Sequence, residues 1–498
     1  MASIDRKTTP FAGSHFDVII VGAGISGITS AYRVQTEFPH YNYTILESRG
    51  GIGGTWDFFK YPGIRSDSDL HTFGFPWRPW TALQAIADGP SIRKYINESA
   101  EQYCIDKKIR FHHRLTSANW SSSNEQWNLV INTDDGTQIL TARFVVFSTG
   151  YFSYEEPLHA SIPNIDRFKG PTIHPQFWPQ DLDYTGKKIV VIGSGATAIT
   201  LVPTLAATAA RVTMLQRSPT YILSLPFIDP IDHLIRNLLA LSWAVKILRW
   251  KYLVTSYLLY QFCRTYPNAA RWVLKQLAKR QLPGSVPYDP NFRPSYNPWE
   301  QRLCICPDAD FYKSLGAGRA DVVTDRIKNV TETSIETESG KTLETDIIVT
   351  ATGLKLQFAG DAEISVDCKP IVFGDKFIWR GQMLQDVPNA VLVMGYNNAS
   401  WTLGADATAI HFCRLLKHMD KNDISYATPR VPKGAKLEPR SIFDKKSTYM
   451  EEAKSNMPRA GNKGPWKPRR NYIQEIWRAA HGSVTTDIEF TTFSKKES

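Results

Sequence analysis

No Cys-x-x-Cys pair occurs in the 498 residues; Cys104, Cys263, Cys304, Cys306, Cys368 and Cys413 are scattered. That spacing argues against a zinc site and against a redox-active dithiol, so no metal is expected and reduced thiols in a cytoplasmic protein are the simplest reading. An apolar leader is also missing, because the opening MASIDRKTTPFAGSHFDVIIVGAG runs straight into a strand-like stretch. No uncharged run reaches the length of a membrane span. Even the most apolar region, residues 231–274, is interrupted by Arg236, Lys246, Arg249, Lys251 and Arg264. Two readings of that helical region stand: a buried subdomain, or a monotopic helix that touches a membrane. Acidic residues are the minority, 48 against 58 Lys and Arg, for a net charge of +10. Part of the excess lies near the C-terminus, in Lys433, Lys436, Arg440, Lys445, Lys446, Lys463, Lys467, Arg469 and Arg470. A solvated basic face accounts for it, as does attraction to anionic phosphates or a membrane surface. No nucleic-acid module is recognisable, so no nucleic-acid partner is expected.

What is present describes a globular chain, with 42% apolar and 21% charged residues. Its length calls for two or three domains. Two glycine-rich loops then set the organisation. The stretch DVIIV (17–21) reads as a buried strand, GAGISG (22–27) follows, a helical pattern runs towards Phe38, and YTILE (43–47) is a second strand ending in an acid. Gly22 permits a tight turn, Gly24 lets backbone approach a pyrophosphate, and Gly27 lets helix and strand pack closely. Ser26 lies within the same loop, at the helix N-terminus whose N–H groups and dipole favour phosphate. Glu47 stands where a carboxylate can accept both ribose hydroxyls. A further cluster, GGIGGTW (50–56), places Gly54, Thr55 and Trp56 for close approach to a ligand larger than NAD, and FAD fits better.

The plan repeats at KIVVI (188–192) and GSGATA (193–198), with Gly193, Ser194, Gly195, Ala196, Thr197 and Ala198. Here the following strand, VTML (212–215), ends not in an acid but in Gln216, Arg217 and Ser218. Guanidinium and hydroxyl groups bind a 2′-phosphate that a carboxylate would repel, so the second site should take NADPH; a plain surface arginine is the alternative for Arg217. Two more apolar strands end in Thr-Gly corners, at Thr149-Gly150 and Thr352-Gly353, and suit chain crossings between nucleotide domains.

Two such loops, GGTW, YPG and an ATG corner resemble the class B flavoprotein monooxygenases. Within that class, FKGPTIHPQFWP (168–179) is similar to the Baeyer–Villiger fingerprint FxGxxxHxxxWP, through Phe168, Gly170, His174, Trp178 and Pro179. YPGIRSDSDLHTFGF, GSGATA and NPWEQRLC look closest to the ethionamide-activating branch. The resemblance implies an α/β fold with two Rossmann-like dinucleotide-binding domains, one for FAD and one for NADP, and a helical insert. Expected boundaries are 1–155 and 356–498 for the FAD domain, 156–225 and 297–355 for the NADP domain, and 226–296 for the insert.

It also implies conversion of ketones to esters or lactones with NADPH and O2 through a flavin C4a-peroxide, with sulfides as a further substrate class. Oxidation of N or S atoms alone, or NADPH oxidation without oxygenation, are the alternatives. Arg302 matches the active-site arginine and Asp67 the carboxylate that orients it; a salt bridge and a turn cap are their structural alternatives. Arg65, Ser66 and Asp67 fall on the NADP side of the family pattern, and Asp67 on the FAD side as well. His174 would tie the linker to the cofactor domain, and a satisfied buried histidine is the plainer reading. Leu115 is matched to the adenine of FAD, and Trp401 to the substrate side of the flavin. Gln301 departs from relatives that carry Lys there.

Overall fold

The computed structural model describes residues 15–301, 303–396, 398–443, 454–469 and 471–493. Arg302, Asn397, Lys445, Lys446 and Arg470 lie outside the described residues.

Alternating glycine loops and β-branched runs build two sheets. The larger has nine strands. Its parallel part contains β1 (His15–Val21), β2 (Tyr43–Leu46) and β3 (Ile109–Arg110). Its antiparallel part contains β4 (Arg114–Ser121), β5 (Gln126–Thr133) and β6 (Gly136–Phe147). Strand β6 joins the two, pairing antiparallel with β5 along its first half and parallel with β1 along its second. Val18 and Ile20 point into one core and Ile19 into another, as a sheet covered on both faces requires. Helix α1 (Ile25–Glu37) covers one face beside α2 (Gly89–Gln102), and Ala31 and Val34 are buried there.

The smaller sheet is parallel and has five strands: β7 (Thr172–Ile173), β8 (Lys188–Ile192), β9 (Arg211–Gln216), β10 (Ala320–Thr324) and β11 (Ile347–Thr350), in the order β10-β9-β8-β11-β7. Helix α3 (Ala196–Leu205) follows β8. The first sheet is completed by β12 (Glu363–Val366), β13 (Lys369–Pro370) and β14 (Ala390–Leu392). The two crossings pair with each other, Phe152–Pro157 antiparallel to Leu354–Leu356.

Between β9 and β10 the chain forms α4 (Pro230–Leu238), α5 (Leu241–Thr265) and α6 (Pro267–Gln281). The apolar stretch is helical as its composition predicts, but it is not a buried subdomain. Ala244, Val245, Leu248, Leu253 and Cys263 of α5 are buried, whereas Trp243 and Trp250 are 64% and 63% exposed. Among the described residues, only one side of the helix has a protein partner. Helices α7 (Trp401–Lys421) and α8 (Tyr472–His481) return to the first sheet and to α5: α7 packs on α1, and the Tyr472 hydroxyl donates to the Leu253 carbonyl.

Candidate active site

The first glycine loop closes tightly. After β1 the chain turns at Gly22, φ +103°, where a Cβ would stand 2.7 Å from the Ser148 carbonyl oxygen. A Cβ on Gly27 would lie 1.9 Å from the Gly22 oxygen, so helix and loop are in backbone contact. Helix α1 starts after Gly24 with neither a side-chain cap nor an acid in its first turn. Its leading N–H groups and positive dipole end are therefore left for an anion. Gly54 packs on Gly24 backbone to backbone, at 3.0 Å for an added Cβ, just before the helical turn Thr55–Phe58. The buried Glu47 carboxylate accepts the Ala23 N–H at 2.8 Å and the Arg49 N–H at 3.0 Å, which fixes it against the loop.

These elements open on a cavity of about 660 Å³. Gly22, Gly24, Ser26, Glu47, Gly54, Thr55, Trp56, Ser66, Asp67 and Leu115 all line it. Leu115 sits in β4 as a buried strand residue. Trp401 closes part of the wall: its indole N–H donates to Ser26 Oγ at 2.8 Å, and its ring stacks on Tyr151 with centroids 5.0 Å apart. The buried Ser148 Oγ and Tyr396 Oη also face the cavity and have no hydrogen-bond partner among the described residues. Trp299 and Leu303, which flank Arg302 in the chain, line the cavity too. Gly27 stands behind the wall, as a close-packing position should.

The sequence-matched Arg65, Ser66 and Asp67 have separate surroundings. Arg65 forms an ion pair with Asp310, and the Ser66 hydroxyl donates to the Ser68 carbonyl at 2.7 Å. Only Ser66 and Asp67 of the three line the cavity.

The second loop is more open. Gly193 has φ +135° and a Cβ there would meet the Ala351 oxygen at 2.3 Å, but one on Gly195 would meet nothing within 4 Å. Helix α3 begins at Ala196 with Gly195 as an N-cap that carries no side-chain acceptor, so its first N–H groups have no side-chain cap, and Thr197 among them is half-buried. Ala198 is fully buried in the adjoining core. Ser194 Oγ donates to the Ser218 carbonyl at 2.8 Å, which ties the loop to the end of β9. Arg217, one residue past that strand, is exposed beside it.

The stretch 168–179 is neither helix nor long strand, and its proline and glycine content explains why. Phe168 and Trp178 are buried in two cores of the smaller sheet. Gly170 is required by space, since a Cβ would lie 2.4 Å from the Asp346 oxygen. His174 Nδ1 accepts the Gln176 N–H at 3.2 Å, so Nε2 carries the proton and donates to the Gly353 carbonyl at 3.1 Å. Burial lowers its pKa and keeps the ring neutral. Gln176 Nε2 donates to the Ser153 carbonyl at 2.8 Å. The segment thus grips both crossings, one through His174 and the other through Gln176. His174 does not line the cavity.

Comparison with known proteins agrees with this architecture. The signature of flavin-binding monooxygenase-like proteins matches residues 85–247, and that of an NAD(P)-binding Rossmann-like domain matches residues 20–89. The FAD-containing monooxygenase EthA of Mycolicibacterium smegmatis is 45% identical over 97% of both chains. The chain belongs to the flavin-binding monooxygenase family. The probable FAD-binding monooxygenase AlmA of Acinetobacter baylyi is 43% identical over 97% of both chains. Among solved structures, an oxidized steroid monooxygenase bound to NADP superposes with a TM-score of 0.74 at 19% identity, covering 96% of this chain and all of the other. OTEMO in complex with FAD and NADP superposes at 0.72, with 18% identity over 97% of this chain. This chain is accordingly an NADPH-dependent flavoprotein monooxygenase with FAD and NADP as cofactors, acting on a small molecule and O2.

Several cavity residues of this monooxygenase had no signal in the sequence. Asp69 caps the helical turn Leu70–Phe73, accepting the Thr72 N–H at 2.7 Å and its hydroxyl at 2.6 Å. Burial raises its pKa to about 6, against lowering by the Thr72 bonds and by Arg249. A carboxylate with a raised folded pKa takes up its proton in the native state first, so its burial costs stability as pH climbs from 3.8 to about 6. Asp69→Asn should therefore gain stability relative to the native chain across that interval, by on the order of 2 kcal/mol, and hold a constant difference above it. Paired thermal melts of the two proteins against pH measure this; a flat difference would show that Asp69 titrates normally.

Beyond Asp69 lies a charged cluster. Lys251 on α5 is ion-paired with Asp229 and Asp232, and Tyr252 donates to Asp232 at 2.7 Å. His71 stacks on Tyr252, and burial lowers its pKa to about 4. Lys251, Asp229 and Tyr252 line the cavity. Clusters assembled from residues this far apart in sequence leave no local pattern.

Proposed function

We propose that the chain is a Baeyer–Villiger oxygenase that converts ketones to esters or lactones and also oxidises sulfides. The observation that carries this reading is the complete stretch 168–179, with Trp178 buried and with His174 and Gln176 bonded to the two crossings.

The residues fit both cofactors. Gly24 and Gly54 present backbone rather than side chain to the cavity, and Glu47 is fixed beside them, so the pyrophosphate and ribose of FAD would rest against them, with Leu115 towards the adenine. Ser148 Oγ and Tyr396 Oη offer unused polar atoms further along the cavity. Residues 193–198 would hold the pyrophosphate of NADPH, with Arg217 and Ser218 at its 2′-phosphate. We further propose 1–155 and 356–498 as the FAD domain, 156–225 and 297–355 as the NADP domain, and 226–296 as the helical insert; the membership of the two sheets supports this division.

Bound FAD supplies electron transfer from NADPH to O2 and a carrier for the activated oxygen. The protein must stabilise negative charge and exclude water. Arg302 is assigned to the anionic oxygens, because guanidinium keeps its charge and offers planar donors. Asp67 on the cavity wall orients it. Trp56, Phe73 and Trp401 line the same space and keep water from it. His174 is a positioning residue, neutral and bonded to backbone at both nitrogens, and moves no proton at the substrate.

Incubation with NADPH, O2 and a panel of ketones and sulfides, scored by product, tests the reading. Esters or lactones from ketones are expected. Sulfoxides alone would establish heteroatom oxygenation instead, and H2O2 alone a non-oxygenating oxidase. For the nicotinamide site, Arg217→Ala should raise KM for NADPH about tenfold or more while KM for NADH stays within twofold, on the order of the 1.4 kcal/mol that a tenfold change represents. Equal changes for both dinucleotides would remove Arg217 from the 2′-phosphate.

A further inference from the structure

The outer face of α5 is apolar and is not covered by other described residues. Trp243, Ile247, Trp250, Val254 and Leu258 recur at spacings of three and four residues, which sets them on one stripe, and all are exposed. Helix α4 adds Ile231, Leu234 and Leu238 in the same pattern, the last 72% exposed, and α6 adds Trp272. Solitary exposed apolar residues are ordinary; nine on three consecutive helices are not.

The charges of this segment point to the occupant. Residues 226–286 hold nine Lys and Arg but only two acids, Asp229 and Asp232. Both acids are ion-paired with Lys251 on the inner side. Arg249 is also turned inward, donating to the His71 and Gly74 carbonyls at 2.8 and 3.0 Å. The exposed charges Lys246, Lys275, Lys279 and Arg280 are therefore of one sign. A second copy of the chain seated on this face would oppose cation to cation. An anionic lipid surface would meet cations beside tryptophans, the residues enriched where protein enters a headgroup layer. No helix among the described residues is long and apolar enough to cross a membrane, so the contact lies in the interface plane.

The opposite side of the same helix faces the cavity: Lys251, Tyr252, Thr255, Ser256 and Leu259 line it. We infer that the face formed by α4, α5 and α6 docks on an anionic phospholipid bilayer, and that the substrates are lipophiles partitioned into that bilayer. One helix diameter, about 10 Å, would separate lipid from cavity wall. The substrate clause rests on the oxygenase reading above; the docking clause does not.

Flotation of the holoenzyme with vesicles of phosphatidylcholine, with and without phosphatidylglycerol, tests docking without any turnover. The native protein should float with phosphatidylglycerol vesicles. The triple variant Trp243→Ser, Trp250→Ser, Leu258→Ser should float about tenfold less or weaker still, because it removes three apolar side chains that would otherwise leave water for the headgroup layer. Lys275→Glu with Lys279→Glu and Arg280→Glu should abolish the preference for phosphatidylglycerol. Flavin content and melting temperature of each variant establish folding. Native protein that stays with the buffer, a triple variant that floats equally, or native dimers that the triple variant abolishes in place of flotation would each overturn docking. For substrates, the triple variant should lose at least about fivefold in kcat/KM on a long-chain ketone supplied in vesicles, about 1 kcal/mol, and be unchanged on a short water-soluble ketone. Equal activity on both would overturn the substrate clause. Flotation with no ketone product would support docking and remove the oxygenase reading alone.

Discussion

Replacing Arg302 by alanine should leave a protein that binds FAD and oxidises NADPH but makes about a hundred- to a thousandfold less oxygenated product, the span seen when one preorganised donor to a developing anion is removed. A reaction that passes through anionic oxygen in a water-poor cavity needs a fixed cation, and arginine is the side chain that cannot lose its proton there. Trp299 and Leu303, three residues before and one after, both line the cavity, as does Asp67. Reduction of the flavin does not use this cation, so NADPH consumption should continue and appear as H2O2. Rapid mixing of reduced protein with O2, followed by product analysis, checks the split. Ester formed at the native rate would end the assignment, and loss of flavin reduction together with product would make Arg302 a structural residue.

Gly27→Ala should purify with less than about a tenth of the native flavin. An added methyl would stand 1.9 Å from the Gly22 oxygen, and that atom belongs to the turn that meets Ser148. Neither neighbour is a flexible side chain, so the turn itself must move. Backbone displacements of this kind cost roughly 1–3 kcal/mol each, and tenfold in affinity corresponds to 1.4 kcal/mol. The ratio of flavin to protein absorbance reads the outcome directly, and native stoichiometry would refute it. At the matching position of the second loop, Ala198 carries the methyl that the first loop cannot hold.

That pair of positions also marks how far sequence reading reaches. Both loops, their flanking strands and the acid-to-arginine exchange between Glu47 and Arg217 are written in local order, because turn, helix terminus and strand end lie within some thirty residues. The helical character of residues 231–274 is legible for the same reason, and the helices extend over 230–281. The exposure of that stretch is not, since composition cannot tell a helix packed on two sides from one packed on a single side. Asp69 was invisible because its surroundings come from α5 and from Thr72, and only tertiary packing desolvates it. Gln176 likewise gains meaning only once the first crossing lies next to residues 168–179. Ser148 and Tyr396 reach the cavity from distant strand ends.

The unequal closure of the two glycine loops has a consequence for how the protein is handled. The first is clamped between Ser148 on one side and Gly54 on the other, while Gly195 in the second faces open space. On the proposed assignment of FAD to the first loop and NADP to the second, one nucleotide would be a resident and the other a visitor. Extensive dialysis should strip the visitor and leave a yellow protein that wakes when reductant is returned.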